Sequence, residues 1–234
     1  NLIHTQSGTG VYVDATGVYY GPYTLENDKT NTQTITNTPN TGSLTITKVN
    51  VKNEEQKLPG ATFTVTVDVS DWSQELLALL PEGFAPVEGT TTYALTTAAT
   101  NASGQVTVSG LPVYNGTTLI SYTVAEATAP ANFFKDETPQ TNELDGEGYT
   151  ASMTFKDAPY AKVSITKRWY KQWEADSQNR VDYIMEGAEF AIFEEVEGKL
   201  VQVGEPLETD ENGALTFEGL NGTKTYYVFE LSNP

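Results

Sequence analysis

Apolar and polar residues alternate with period two along most of the chain. Leu44-x-Ile46-x-Lys48 and Val163-x-Ile165-x-Lys167 form one matching pair of segments. Such alternation puts every second side chain on one face of a strand. The next pair is Ala61-x-Phe63-x-Val65-x-Val67 and Ala188-x-Phe190-x-Ile192, each entered through a glycine turn, Leu58-Pro59-Gly60 or Met185-Glu186-Gly187. Ser103–Val108 and Asn212–Phe217 follow, each leading to a Gly-Leu pair, Gly110-Leu111 or Gly219-Leu220. Tyr122-x-Val124-x-Glu126 and Tyr226-x-Val228-x-Glu230 come last. Features recurring in the same order form an internal repeat. Lys48 and Lys167 are 119 residues apart, about the length of one small β-sandwich.

The first copy continues into a further strand, Met153-x-Phe155-x-Asp157, which the second copy lacks. The first forty residues carry Val11-Tyr12-Val13, Val18-Tyr19-Tyr20 and a Thr-rich strand with Ile35-x-Asn37, but no Lys strand, glycine turn or Tyr-x-Val-x-Glu. The expected architecture is therefore all-β, with tandem Ig-like sandwiches, one complete and one split between the chain's two ends. Residues 1–40 would be the tail of one domain, 41–159 a whole domain, and 160–234 the head of another. Pro159-Tyr160-Ala161-Lys162 reads as an interdomain linker. The stretch Ser70–Pro81 departs from the strand pattern and predicts a short surface helix, capped by Ser70 or Asp71 and ended by Pro81.

Composition narrows the chemistry. There is no Cys, which excludes disulfides, thiolate metal sites and a Cys nucleophile. The one histidine, His4, cannot build a metal cluster, so neither metal nor cofactor is expected. The net charge of −18 disfavours nucleic acid and anionic membranes as partners. No apolar run approaches a membrane span. The sequence starts at Asn1 rather than Met and is expected to be a processed or excised piece. Thr209-Asp210-Glu211-Asn212-Gly213 carries some calcium-loop residues but reads as a β-turn, since the remaining loop ligands are missing.

Polar groups end the apolar faces of both copies. Lys48 shares a face with Leu44 and Ile46, Glu126 with Tyr122 and Val124, and Asp157 with Met153 and Phe155. Lys167, Glu230 and Asn37 take matching positions. Buried charges are costly unless paired or neutralised. Burial favours the neutral amine of a lysine and the protonated form of a glutamate. Beside a carboxyl or carboxamide, that amine is a nucleophile and the glutamate a proton shuttle. Loss of water or ammonia would leave an amide cross-link between side chains.

The segments Ser43–Lys48, Leu58–Phe63 and Tyr122–Pro130 resemble the collagen-adhesin B-type (CnaB-like) domains of Gram-positive pilins and surface adhesins. That resemblance implies intramolecular Lys–Asn or Lys–Asp isopeptide bonds assisted by a Glu. By resemblance Lys48 is the amine, Glu126 the acid and Asp157 the partner. In the second copy Lys167 is the amine, Glu230 the acid and Asn37 the partner. Asn37 and Lys167 lie on either side of the complete domain, so closure within one chain is not expected. Head-to-tail complementation between copies, or a longer array, would supply the missing strand.

The expected function is a structural stalk or fibre subunit on the outside of a Gram-positive cell, in the cell wall or a pilus. It would not be an enzyme beyond a single autocatalytic turnover. Its partners would be neighbouring copies of itself. The alternative is an adhesin domain that binds a host protein through the 68–90 insertion, around Trp72 and Phe84.

Overall fold

The computed structural model describes residues 40–169 and 183–232 in full. Before residue 40 it describes the backbone of four strands, Leu2–Thr5, Val11–Asp14, Gly17–Tyr20 and Thr36–Pro39. The molecule is built of β-strands, as the alternation predicts, and two separate apolar cores organise them.

The first core lies between two sheets. In one, Thr41–Asn50 is flanked by Gln105–Pro112 and by the long strand Thr150–Thr166, and Phe133–Phe134 extends the edge. In the other, Ser121–Thr128 lies between Thr62–Asp68 and Gln140–Glu143, and Thr92–Thr96 continues the sheet beyond Thr62–Asp68. The buried faces are the predicted ones. Leu44, Ile46, Phe63, Val65, Tyr122, Val124, Met153 and Phe155 all point inward. The Tyr122 hydroxyl, deep in this core, donates to the Pro112 carbonyl at 2.7 Å, which satisfies its one polar atom.

Thr41–Asn50 and Thr150–Asp157 run parallel, with Phe155 opposite Lys48 and Asp157 opposite Asn50. The first and last strands of the unit are thus neighbours in the middle of one sheet. Side chains two positions apart on adjacent strands lie within reach of long residues, and this brings Asp157 to the end of the Lys48 side chain.

The second core repeats the plan. Ala161–Thr166 pairs with Ala214–Leu220, and Glu189–Val196 pairs with Tyr226–Ser232, enclosing Ala188, Phe190, Ile192, Leu215, Phe217 and Leu220. Local hydrogen bonds repeat as well. Thr100 Oγ1 donates to Leu58 O and accepts from Ala61 N, while Thr209 Oγ1 donates to Met185 O and accepts from Ala188 N. Asn101 Oδ1 accepts from Ser103 N and Gln105 N, as Asp210 Oδ1 accepts from Asn212 N and Ala214 N. The segment read as a turn rather than a calcium loop is therefore an Asx-type turn, matched in the other unit.

Two expectations need correcting. The segment 159–162 is not a linker. It lies inside the continuous 17-residue strand Thr150–Thr166, whose first half serves one core and whose second half serves the other. Phe133–Phe134 pairs with Ala158 and Pro159, the Phe134 and Tyr160 rings meet at 4.5 Å, and Gly222 N donates to Pro159 O. The strand is held from both sides, with one register irregularity between Ala161 and Val163. The predicted helix shrinks to Gln74–Leu77, capped by Ser73 rather than Ser70 or Asp71. Asp68 Oδ1 takes the Ser70 N–H and Val69 O takes the Trp72 N–H, so 69–72 is spent on a turn. Thr36–Pro39, whose closure onto the second unit of the same chain is not expected from the sequence, pairs with Leu2–Thr5, Asn37 opposite His4. Among the described residues it pairs with no strand of the second core.

Gly104 ties a turn to the lysine strand. Its φ is +67°, its carbonyl accepts from Lys48 N at 2.7 Å, and a Cβ there would sit 2.6 Å from Lys48 O. Gly104→Ala should therefore cost about 1–3 kcal/mol. Urea denaturation of the variant beside the parent checks this; an unchanged midpoint would refute it.

Candidate functional site

Three strands deliver one side chain each to a closed pocket in the first core. Lys48 comes from Thr41–Asn50, Glu126 from Ser121–Thr128 and Asp157 from Thr150–Thr166. All three side chains have no solvent exposure. Lys48 Nζ donates to Glu126 Oε2 at 2.7 Å and also to Asp157 Oδ1. The Phe155 ring centroid lies 5.8 Å from the same nitrogen, and Phe155 packs on Phe63 at 4.9 Å. Aromatic and aliphatic walls thus exclude water, and strong charge interactions inside become correspondingly costly to break.

One lysine faces two carboxyls, so one carboxyl is in excess. Burial pushes the Glu126 carboxyl up to about 7, against the hydrogen bonds from Lys48 and from the Asp136 N–H that favour its charged form. Burial also raises Asp157, again against Lys48. Glu126 Oε1 and Asp157 Oδ2 are buried without a hydrogen-bond partner. A proton held on the carboxyl pair relieves both difficulties, since it removes one charge and supplies one donor.

The arrangement can perform a condensation. The amine lies against an oxygen of one carboxyl, a second carboxyl touches the amine, and none of the three side chains is exposed to solvent. Proximity of this kind replaces a large entropic barrier, and the neighbouring carboxyl can accept and return protons.

The second unit has the same two strands but an open site. Lys167 Nζ donates to Glu230 Oε2 at 2.7 Å, with side-chain exposures of 24% and 32%. Glu230 pairs across from Phe190 as Glu126 pairs across from Phe63. The expectation that Lys167 and Glu230 are buried is therefore not met. The reason is structural: the edge of Ala161–Thr166 that corresponds to the one facing Thr150–Asp157 carries no strand among the described residues. Tyr227, Val228, Phe229 and Leu231 are exposed on the Glu230 strand. The backbone of Asn37 lies in Thr36–Pro39, and its side chain lies outside the described residues.

The alternation of side chains could not reveal the Asp136 N–H, which donates to Glu126 Oε2 at 2.8 Å. Backbone donors have no residue-type signature. The available hint was the Asp136-x-Thr138 turn, closed by Thr138 N on Asp136 Oδ1. In the 68–90 insertion, Trp72, Leu76, Leu80 and Phe84 pack half-buried against the first core. Among the described residues no cluster of His, Asp or Glu could hold a metal ion, and no helix is long and apolar enough to cross a membrane.

A family model described as "SpaA: Prealbumin-like fold domain" matches residues 42–159, just over half of the chain. The chain belongs to this SpaA family. The match contains the whole of the closed Lys48–Glu126–Asp157 site. Among solved structures, the Bacillus anthracis TIE protein aligns over 98% of this chain and 38% of its own, at 21% identity and a TM-score of 0.47. A streptococcal ancillary pilin aligns over 93% and 61%, at 18% identity and 0.40. The shaft pilin SpaA of Lactobacillus rhamnosus GG aligns over 83% and 88%, at 18% identity and 0.35. The chain thus spans less than two thirds of the first two. No curated protein sequence matches it.

A carboxyl with a raised pKa makes the SpaA-type unit less stable as pH rises. The folded state keeps a proton that the unfolded chain, with an ordinary Glu near 4.5, has already released. In the variant Lys48→Ala, which has no amine to condense and keeps both buried carboxyls without the lysine that favours their charged forms, stability should fall as pH rises from about 5 through 7.5. Urea midpoints measured across that range check the direction; a flat or rising profile would count against it.

Proposed function

We propose that the chain is a structural subunit of pilin type, exposed on a Gram-positive cell surface and stiffened by an isopeptide bond between Lys48 and Asp157. The observation that carries this reading is the closed triad: an amine in contact with two carboxyls, all three side chains without solvent exposure, the amine and one carboxyl lying on the first and last strands of one sandwich. Lys48 is the nucleophile, Asp157 the electrophile and Glu126 the proton shuttle. One water leaves and the site is spent, so the chemistry serves assembly rather than turnover.

Removing either partner from a buried ion pair leaves an uncompensated charge, at a cost of about 3–5 kcal/mol. Amide formation removes both charges, which supports bond formation as the resting outcome. The absence of Cys from the sequence means that no disulfide can take this role.

The second unit is read as the acceptor half of a similar site. The incoming strand would run parallel to Ala161–Thr166, by analogy with Thr150–Asp157 on Thr41–Asn50. The chain's own Thr34-Ile35-Thr36-Asn37-Thr38-Pro39 matches Thr154-Phe155-Lys156-Asp157-Ala158-Pro159 in its apolar residue, its Asn or Asp, and its proline two residues later. Provision of that strand by a neighbouring copy would add subunits head to tail, a heterologous contact that does not close. Lys167–Asn37 bonds would make the contact covalent, with loss of ammonia.

Two measurements decide these readings. Intact mass should fall one water short of the sequence, with peptide mapping placing the link at Lys48 and Asp157. Glu126→Ala should restore full mass while the circular dichroism of the fold persists. Boiled samples on a denaturing gel should show a ladder of covalent oligomers that Lys167→Ala abolishes. A single monomer band from the parent protein would sink the covalent form of head-to-tail assembly.

A further inference from the structure

Among the described residues two donors meet the Glu126 carboxyl, and both reach the same oxygen. Lys48 Nζ donates to Oε2 at 2.7 Å and the Asp136 N–H donates to Oε2 at 2.8 Å, while Oε1 has no partner. A carboxylate oxygen offers two lone pairs, so the N–H on one leaves the other directed at Lys48. The 132–140 strap that delivers this N–H is tied to a single strand. Asn132 O accepts from Tyr160 N at 2.8 Å, Phe133 and Phe134 pair with Pro159 and Ala158, and Gln140 Nε2 donates to Thr154 O at 2.8 Å. All of these anchors lie on Thr150–Thr166, the strand that also carries Asp157. Between them Asp136 Oδ1 accepts the Thr138 N–H at 3.0 Å, an Asx-type turn in which the side chain fixes its own backbone. In the open second site Glu230 Oε2 accepts from Lys167, with no second donor among the described residues.

We propose that Asp136 is a positioning residue of the condensation: its side chain holds the turn, and its N–H holds Glu126 Oε2 on the Lys48 amine while that amine reacts. This rests on the reading that Lys48 and Asp157 form an amide. The ammonium proton of Lys48 passes to Glu126, and the freed lone pair forms the C–N bond to Cγ of the protonated Asp157 carboxyl, whose π pair moves onto oxygen. As that pair returns, the C–OH bond breaks, and the hydroxyl leaves as water with the proton from Glu126. The remaining extra proton on nitrogen goes back to Glu126. Glu126 therefore acts at every proton transfer, yet the ammonium that grips it at the start is lost in the first. The Asp136 N–H is the hydrogen bond of Glu126 that the reaction does not consume. None of the three reacting side chains is exposed to solvent, and a misplacement of about 1 Å in such a site costs about 10²-fold in rate.

The test follows water loss in freshly made protein, by pulse-labelled cell-free synthesis and intact mass. An amide-to-ester replacement of the 135–136 bond, made by supplying the hydroxy acid of aspartate at position 136 during synthesis, removes the N–H and keeps the side chain. It should slow the reaction about 10²-fold. Asp136→Ala keeps the N–H but loses the turn acceptor, and should react about tenfold more slowly than the parent. Asp136→Asn keeps that acceptor and should bring the rate back to within a few-fold. The pH above which the rate declines should move upward in the ester chain and in Asp136→Ala, because Glu126 loses a donor that favours its charged form. The charged groups that act on Glu126 are Lys48 and Asp157, which stay in place, and Lys135 and Glu137 of the strap pair with each other at 2.9 Å. A strap that merely stabilises the fold would leave that pH where it is. Equal rates for ester and parent overturn the proposal, as do slowing with an unmoved pH and an Asp136→Asn chain as slow as Asp136→Ala. If the ester chain does not fold, the rates and pH profiles of Asp136→Ala and Asp136→Asn decide. A parent chain that never loses water overturns instead the reading on which the proposal rests.

Discussion

Lys48 carries its amine into the centre of a sandwich where water does not reach. A charge in that position is tolerable when carboxyl groups meet it, and the meeting requires three strands from distant parts of the chain to arrive in one register. The parallel pairing of Thr41–Asn50 with Thr150–Asp157 supplies Asp157, and the antiparallel pairing of Thr62–Asp68 with Ser121–Thr128 supplies Glu126. A slip of one residue in either ladder would turn the carboxyl to the outer face. The polar cluster therefore specifies register across both sheets at once, and the apolar residues around it fill in what the register leaves.

The second unit shows what the same local instructions yield without the last strand. Its turns, its threonine bridge and its Lys–Glu pair reproduce those of the first unit. Yet its lysine and glutamate keep a quarter to a third of their surface open, and its Glu strand exposes large apolar side chains. Closure of the site is thus a property of the added strand rather than of the residues that do the chemistry.

Much of this was legible in the sequence. Period-two alternation marked the inward residues of Thr41–Asn50, Thr62–Asp68, Ser121–Thr128 and Thr150–Asp157, because an exposed face and a buried face leave opposite signatures. Lys48, Glu126 and Asp157 stood out as polar residues in phase with apolar ones. What escaped was set by non-local packing. Nothing in Pro159-Tyr160-Ala161-Lys162 announces that flanking strands from both units will pair with it and keep it extended. The true helix start at Ser73 was hidden because Asp68 competes for the preceding backbone N–H groups. The Asp136 N–H left no trace, since every residue but proline has one.

The continuous strand Thr150–Thr166 and its parallel neighbour also fix how the first unit meets a pull. Tension enters at the start of Thr41–Asn50 and leaves at the end of Thr150–Asp157. For parallel strands those two ends point in opposite directions along one axis. The ladder between them is then loaded in shear, with all of its rungs sharing the force, instead of being unzipped one rung at a time. Beyond Asp157 the same strand carries the load directly into the second core. From Ala158 to Ala161 every residue of that strand is itself paired, to Phe134, Phe133, Asn221 and Leu220 in turn, so the joint between the units is made of the same ladder as the sheets it connects.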